Sequence, residues 1–115
     1  MSKFTKGPWA ADDFANYIYI FEANEPNMMI AQIRGWGYLT GKGGLGLSDG
    51  EAYEIQKANA RLIAAAPEMY ELLDYIASYL TALSKLIPLS GLLINYLSMI
   101  NDLVARIDGK EERHE

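Results

Sequence analysis

The middle of the chain reads N-A-R-L-I-A-A-A-P-E-M from Asn59 to Met69. Alanine, leucine and arginine are good helix formers, so the residues before the proline predict a helix. Proline disfavours helical geometry in the residue before it, and this helix should therefore stop or kink at Ala66. Proline suits the first turn of a helix, and the charge of Glu68 favours a second helix starting there. The segment thus joins two successive helices.

The front half of the chain predicts a small antiparallel sheet. Residues 16–22 read N-Y-I-Y-I-F-E, which is rich in aromatic and β-branched residues. A short strand at residues 9–11 should precede it, and a strand at residues 28–34 should return after a turn at residues 24–27. Residues 36–40 could extend the sheet further. The alternation puts two sets of apolar side chains on opposite faces: Tyr17, Tyr19 and Phe21 on one, Ile18 and Ile20 on the other.

Residues 35–50 contain seven glycines and separate this sheet from the helices. Ser48 and Glu51 then have the spacing of a capping box, which predicts a helix start. The helix running through residues 54–65 should bury four side chains spaced for one face: Ile55, Ala58, Leu62 and Ala65.

The back half predicts a helical hairpin. From Met69 to Ile87 apolar residues recur at alternating steps of three and four, as on one face of a long helix. Residues 88–91 form a break, and a last helix should run from Leu92 to Ile107. Both helices carry more apolar surface than one partner covers, which predicts a homo-oligomer. The interface residues expected are Tyr75, Tyr79, Leu93, Tyr96, Ile100 and Leu103.

These elements together predict an α+β fold: an N-terminal antiparallel β-sheet, a kinked helix and a C-terminal helical hairpin. We expect a single domain over residues 1–109, β-rich to residue 47 and helical from residue 48. Residues 110–115 should form a charged, flexible tail.

Composition argues against several classes of function. The 115 residues include no cysteine, and the only histidine is His114 in the charged tail, so no metal site or cofactor is expected. Carboxylate pairs such as Glu68 and Glu71 have no nucleophile or histidine nearby, and we expect no enzyme activity.

The charge distribution bears on partners and on location. Net charge is −5, and residues 48–115 hold eleven acidic and six basic side chains, which argues against binding a nucleic-acid polymer. The uncharged stretch at residues 86–101 is shorter than the roughly 20 apolar residues that span a bilayer. A membrane hairpin is the weaker alternative, and we expect a cytoplasmic protein.

Five residues are candidates for ligand binding. Residues 41–46 read G-K-G-G-L-G, a glycine spacing that can let backbone amides reach phosphate, although a flexible loop is the simpler interpretation. Aromatic rings stack on bases, and arginine or lysine attracts phosphate, but the same residue types dominate protein interfaces. Arg61 could contribute or could pair with Glu54 on a solvated helix face. The candidates are Arg34, Trp36, Tyr38, Lys42 and Arg61.

The motif at residues 59–69, together with G-P-W at residues 7–9, resembles a family of small phage and prophage accessory proteins. The resemblance covers residues 6–74 and implies a protein made inside a bacterial host. The predicted architecture is also similar to that of phage proteins that neutralise Thoeris immunity by sequestering cyclic nucleotides. The hypothesis is therefore an anti-defence protein that sequesters a nucleotide-derived immune signal. The alternative is an inhibitor that binds a host defence or CRISPR effector protein.

Overall fold

A computed structural model describes residues 3–14 and 17–110 of the chain. Its fold is α+β, with a three-stranded antiparallel sheet followed by four helices, which confirms the predicted class. The chain forms two compact units. One comprises residues 5–67, and the other comprises the described residues from Glu68 onward together with residues 3 and 4. That residues 1–109 form a single domain stays a prediction.

The sheet consists of β1 (Trp9–Phe14), β2 (Tyr17–Glu22) and β3 (Glu25–Gln32), in that spatial order. Its central strand confirms the predicted alternation, since Ile18 and Ile20 are buried. Of the predicted strand at residues 16–22, residue 16 lies outside the described residues. Among the described residues, Ile20 is the largest side chain that is fully enclosed, at 0% exposure.

The hairpin between β2 and β3 turns earlier than predicted. The turn occupies residues 23 and 24, so Pro26 lies inside β3 instead of in the turn. Proline has no N–H for a ladder, but β3 is an edge strand and one side of its backbone needs no partner. The carboxylate of Glu22 accepts from the backbone N–H of Asn24 at 2.9 Å and helps to close the turn.

Residues 36–40 form a helix, so the prediction of a further strand there was wrong. This helix, α1 (Trp36–Thr40), follows Gly35, whose φ of 105° is readily available only to glycine. That conformation turns the chain out of the sheet. The N–H of Leu39 then donates to the Gly35 carbonyl at 3.0 Å and closes a helical turn.

The helix α2 (Asp49–Ala64) begins with the predicted capping box. The Ser48 hydroxyl accepts from the backbone N–H of Glu51, and the Glu51 carboxylate accepts from that of Ser48 at 3.1 Å. The backbone hydrogen bond from Ser48 lowers the pKa of Glu51. The predicted break before Pro67 is also present, because α2 ends at Ala64 and a new helix starts at Ala66.

The side of α2 that packs on the sheet differs from the predicted one. Ala52, Gln56 and Ala60 are buried, and they recur every four residues along the helix. Ala60 belongs to one cluster with the buried isoleucines of the sheet. The predicted set was wrong: Leu62 is 62% exposed, and Ile55 and Ala58 are exposed as well. Small side chains allow the helix backbone to come close to the isoleucines, which fill the space between.

Two parts of the recognised sequence pattern, G-P-W and the proline of the central motif, lie against each other in the structure. A side chain added at Gly7 would bring its Cβ within 2.7 Å of the Pro67 Cβ. Only glycine therefore fits at this point, where the segment before β1 lies against the break between α2 and α3. The indole N–H of Trp9, the last residue of G-P-W, donates to the Thr5 carbonyl at 3.0 Å.

The second unit is a helical hairpin, as predicted, formed by α3 (Ala66–Ser84) and α4 (Gly91–Ile107). Ser90 caps α4 by accepting from the N–H of Leu93 at 3.2 Å. The Tyr70 hydroxyl donates to both carboxylate oxygens of Asp108, at 2.7 and 2.8 Å, so the start of α3 lies beside the end of α4. The Phe4 ring stands edge-on to Tyr70, with centroids 4.9 Å apart.

Across the described ranges, no helix combines the length and the apolar character that crossing a membrane requires. The predicted charged tail lies outside the described residues, apart from Lys110.

The bond between Tyr70 and Asp108 predicts how the hairpin responds to high pH. This bond, then burial and the carboxylate charge, raise the pKa of Tyr70 to about 12. Because folding raises this pKa, the hydrogen bond stabilises the folded state fully below about pH 10, the pKa of tyrosine in the unfolded chain. This stabilisation is lost as the pH rises through 12, the pKa in the folded state. We expect Tyr70→Phe to lower the free energy of unfolding at neutral pH, with the difference from wild type vanishing over that interval.

Urea denaturation followed by helical circular dichroism at a series of pH values measures this difference. Tyr75→Phe is the matched control, because the Tyr75 side chain is 72% exposed on the same helix. A difference for Tyr70→Phe that stays constant to pH 12 would contradict the role given to the bond.

Candidate functional site

The candidate site is a cleft of about 800 Å³ within the first unit. It lies where β1 ends, β2 begins and β3 ends, and it is bounded by the start of α1 and by α2. The sheet contributes Asp13, Tyr17 and Gln32 to its lining. Its volume falls within the range of about 300–1,000 Å³ that is common for small-molecule sites.

The α1 side of the cleft holds two of the five predicted ligand-binding residues. Arg34 and Trp36 both line it, on either side of the left-handed Gly35. The Trp36 ring is 40% exposed, which leaves part of it open to a ligand. Arg34 is exposed, and its guanidinium has no hydrogen bond or ion pair within the described residues.

The α2 side contributes Tyr53, which links the helix to the sheet. Its hydroxyl donates a short hydrogen bond to the Asp13 carboxylate at the end of β1. This hydrogen bond is the main cause of the raised pKa of Tyr53, with smaller contributions from burial and from nearby carboxylates. The ammonium of Lys57 lies 5.2 Å from the Tyr53 ring centroid, within the range of a cation–π contact.

One turn further along α2, Gln56 fixes the segment that carries the predicted residues. Its side chain is 7% exposed, and its amide Nε2 donates to the Arg34 carbonyl at 3.4 Å. A buried amide without a partner would be costly, so this bond favours the observed position of residue 34. Gln56 therefore ties the segment that follows β3 to α2 beside the cleft.

The cleft combines aromatic faces, amides and one free cation. Tyr17, Trp36 and Tyr53 offer rings on which a planar heterocycle can stack, and Gln32 adds an amide. Arg34 can pair with an anionic group through two parallel hydrogen bonds. The Asp13 carboxylate already accepts a hydrogen bond from the Tyr53 hydroxyl. The arrangement suits a ligand that has an aromatic ring and an anionic group.

Three of the five predicted ligand-binding residues do not line the cleft: Tyr38, Lys42 and Arg61. Tyr38 lies in α1 with 62% of its side chain exposed, Lys42 lies in the glycine-rich loop, and Arg61 lies on the exposed side of α2. A role for these three residues stays a prediction.

Most backbone amides of the loop at residues 41–46 already donate within the protein, unlike those of a phosphate-binding loop. The N–H groups of Gly44 and Gly46 both donate to the Gly41 carbonyl at 3.1 Å. The N–H of Leu45 donates to Tyr38 and that of Leu47 to Leu39, at 2.9 and 2.8 Å. The loop is folded back on α1, and these four amides are already used.

A second cavity of about 400 Å³ adjoins the cleft. Its lining includes Asn59, Leu62 and Ile63 from the central sequence motif, besides residues 32–34. Sequence reasoning placed Leu62 in the core and missed this cavity, as it missed Tyr53 and Gln56. The spacing of residues 53, 56, 59 and 63 along one helix side is the signal that could have grouped them.

The residues predicted at an oligomer interface lie on α3 and α4. All are exposed except Ile100, which is partly buried, and Tyr75 and Tyr79 are the most open. Whether a second copy covers them stays a prediction. Among the described residues, no group of three or more histidine, aspartate or glutamate side chains is placed to hold a metal ion.

The link between Tyr53 and Asp13 can be tested by titration. We expect Asp13→Asn to lower the pKa of Tyr53 towards the ordinary value of about 10, because the charged acceptor is lost. Carbon NMR of the tyrosine ring, with Tyr53→Phe to identify the signal, measures this pKa. Asp12→Asn is the control and should change the pKa much less, since Asp12 contributes least to the shift. An unchanged pKa in Asp13→Asn would rule out the bond.

A family model described as Salmonella phage P22 protein Y8K6 matches residues 1–105 of the chain. No curated protein and no solved structure matches the chain significantly.

Proposed function

We propose that this chain, which belongs to the family of Salmonella phage P22 protein Y8K6, is a phage accessory protein that binds and sequesters a nucleotide-derived ligand. One observation carries the proposal. Arg34 and Trp36, two of the residues proposed for nucleotide binding, line the same cleft of about 800 Å³ as Tyr17 and Tyr53. A cation and several rings around one cleft are the groups that a nucleotide requires.

The base of the ligand would stack against the aromatic rings, with Trp36 as the largest surface. Stacking of a base on an aromatic side chain contributes about 1–3 kcal/mol, independently of base identity. The phosphate would pair with the Arg34 guanidinium, which no acidic side chain of the described residues neutralises. Gln32 borders the same space and would supply an amide for ribose or base.

We further propose that sequestration serves the phage against host defence. Bacterial immune systems that signal through nucleotides fail when the free signal falls below the level that its receptor needs. A binding protein achieves this in proportion to its own concentration and needs no catalysis. The proposal therefore describes a cyclic-nucleotide sponge without enzyme activity, acting in the host cytoplasm, with immune evasion as its outcome.

A homo-oligomer is part of the proposal. The second unit leaves large apolar side chains exposed on both of its helices, with Tyr75 at 72% exposure. An isolated domain rarely leaves more than about 300–600 Å² of contiguous apolar surface in water. Association of copies through α3 and α4, at the six residues named above, would cover this surface.

A second candidate function rests on that same surface. An inhibitor of a host defence or CRISPR effector protein would use exposed aromatic residues as binding anchors, and tyrosine is enriched at such positions. In that case Tyr75 and Tyr79 would contact the host protein. Co-purification of one defined host protein, without affinity for any nucleotide, would favour this function.

Substitution of Trp36 tests the proposed function directly. We expect Trp36→Ala to weaken binding of AMP roughly ten- to hundredfold, because the loss of one stacking surface has about that effect. Isothermal titration calorimetry measures the affinity, and circular dichroism checks that the fold is intact.

Tyr38→Ala is the matched control, because Tyr38 lies two residues away in the same helix but does not line the cleft. If the cleft alone binds the ligand, as proposed, the affinity of Tyr38→Ala for AMP should equal that of the wild type. If both variants lose affinity for AMP to the same extent, or if neither loses affinity, the cleft is not the binding site.

A further inference from the structure

The cleft and the second cavity share one wall. Gln32, Ile33 and Arg34 line both, so the two spaces, of about 800 and 400 Å³, meet at the end of β3. Residues that line only the cleft include Tyr17, Trp36 and Tyr53. These three residues form the wall between the two neighbouring spaces. We call the two spaces together the groove, and each of them a compartment.

The groove follows α2. Tyr53 and Gln56 border the first compartment, and Asn59 and Ile63 border the second, so the four lie along one side of the helix. Ile63 lies ten positions after Tyr53, which corresponds to about 15 Å of helix at 1.5 Å per residue. A ligand that fills both compartments is therefore extended.

The two compartments differ in chemistry. The first has three aromatic rings and the carboxylate of Asp13 at its far end. The second has the apolar side chains of Leu62 and Ile63 beside the amide of Asn59, and no charged side chain lines it except Arg34 at the junction. Each compartment offers apolar surface with a few polar groups, and the positive charge lies between them.

We propose that this groove binds a ligand with two nucleosides joined by a phosphate bridge, and that Arg34 binds the bridge. One base stacks in the aromatic compartment, and the other lies on Leu62 and Ile63 with Asn59 at its polar edge. This inference rests on the proposed function, since it names the nucleotide class for the same site. It also gives a binding role to three residues of the central sequence motif: Asn59, Leu62 and Ile63.

The charge distribution favours a bridging phosphate over a terminal one. Arg34 is the cation at the junction, whereas Asp13 would repel a phosphate placed at the far end of the first compartment. A mononucleotide bound at Arg34 fills only one compartment and leaves the other to water. A dinucleotide uses the same phosphate contact and adds the apolar contacts of the second base.

Calorimetry with diadenosine diphosphate and AMP as probes tests this inference. The full chain should bind the dinucleotide at least about tenfold more tightly than AMP. The double variant Asn59→Ala, Leu62→Ala should lose that advantage and bind AMP like the wild type. Both substituted side chains are exposed on α2, so the helix should fold normally. Ile55→Ala is the matched control on a part of α2 that lines neither compartment.

Three outcomes overturn the inference. If the dinucleotide binds no more tightly than AMP, the second compartment is not used, while the proposed nucleotide-binding function stands. If the double variant binds AMP and the dinucleotide more weakly by the same factor, the effect of the substitutions is not specific to the second compartment. If neither probe binds, the proposed function fails together with the inference.

Discussion

The close approach of α2 to the sheet is the constraint on which the first unit depends. Ala52 and Ala60 face inward, and the isoleucines of the sheet fill the space that larger helix residues would otherwise occupy. Burial of a branched side chain such as Ile20 contributes roughly 1.5–3 kcal/mol, and a small sheet has few such contributions. With only three strands, the sheet needs the helix across one face to be stable in water.

The same packing creates the site. Gln56 lies between the two alanines on the inner side of α2, where its amide reaches the Arg34 carbonyl. Tyr53, one turn earlier, extends to Asp13 at the end of β1. The helix thus holds the ends of two strands at fixed positions, and the cleft is the space left between them. The packing of the core and the geometry of the cleft have a common origin.

The sequence predicts this structure well where the signals are local. The capping box at Ser48, the break at Pro67 and the alternation in β2 each depend on residues within a few positions of one another. The inner side of α2 was missed because hydrophobic periodicity gives large residues such as Leu62 more weight than alanine. Tyr53 and Gln56 were missed because their partners lie 40 and 22 residues away in the chain.

The candidate site was predicted in part for a related reason. In a strand, Arg34, Trp36 and Tyr38 would share one face, because side chains alternate with a period of two. The left-handed Gly35 starts a helix instead, and residues two apart in a helix do not face the same way. Trp36 therefore lines the cleft while Tyr38 does not. A single backbone conformation separates residues that the sequence pattern grouped.

The central claim is that the cleft binds a nucleotide, and NMR of the two indole N–H groups tests it most directly. The chain has two tryptophans: Trp36 lines the cleft, and Trp9 lies at the opposite end of β1. Adding AMP to the nitrogen-15-labelled protein should shift the Trp36 indole signal progressively to saturation and leave that of Trp9 in place. Two unmoved signals at saturating nucleotide, or equal shifts of both, would contradict the account.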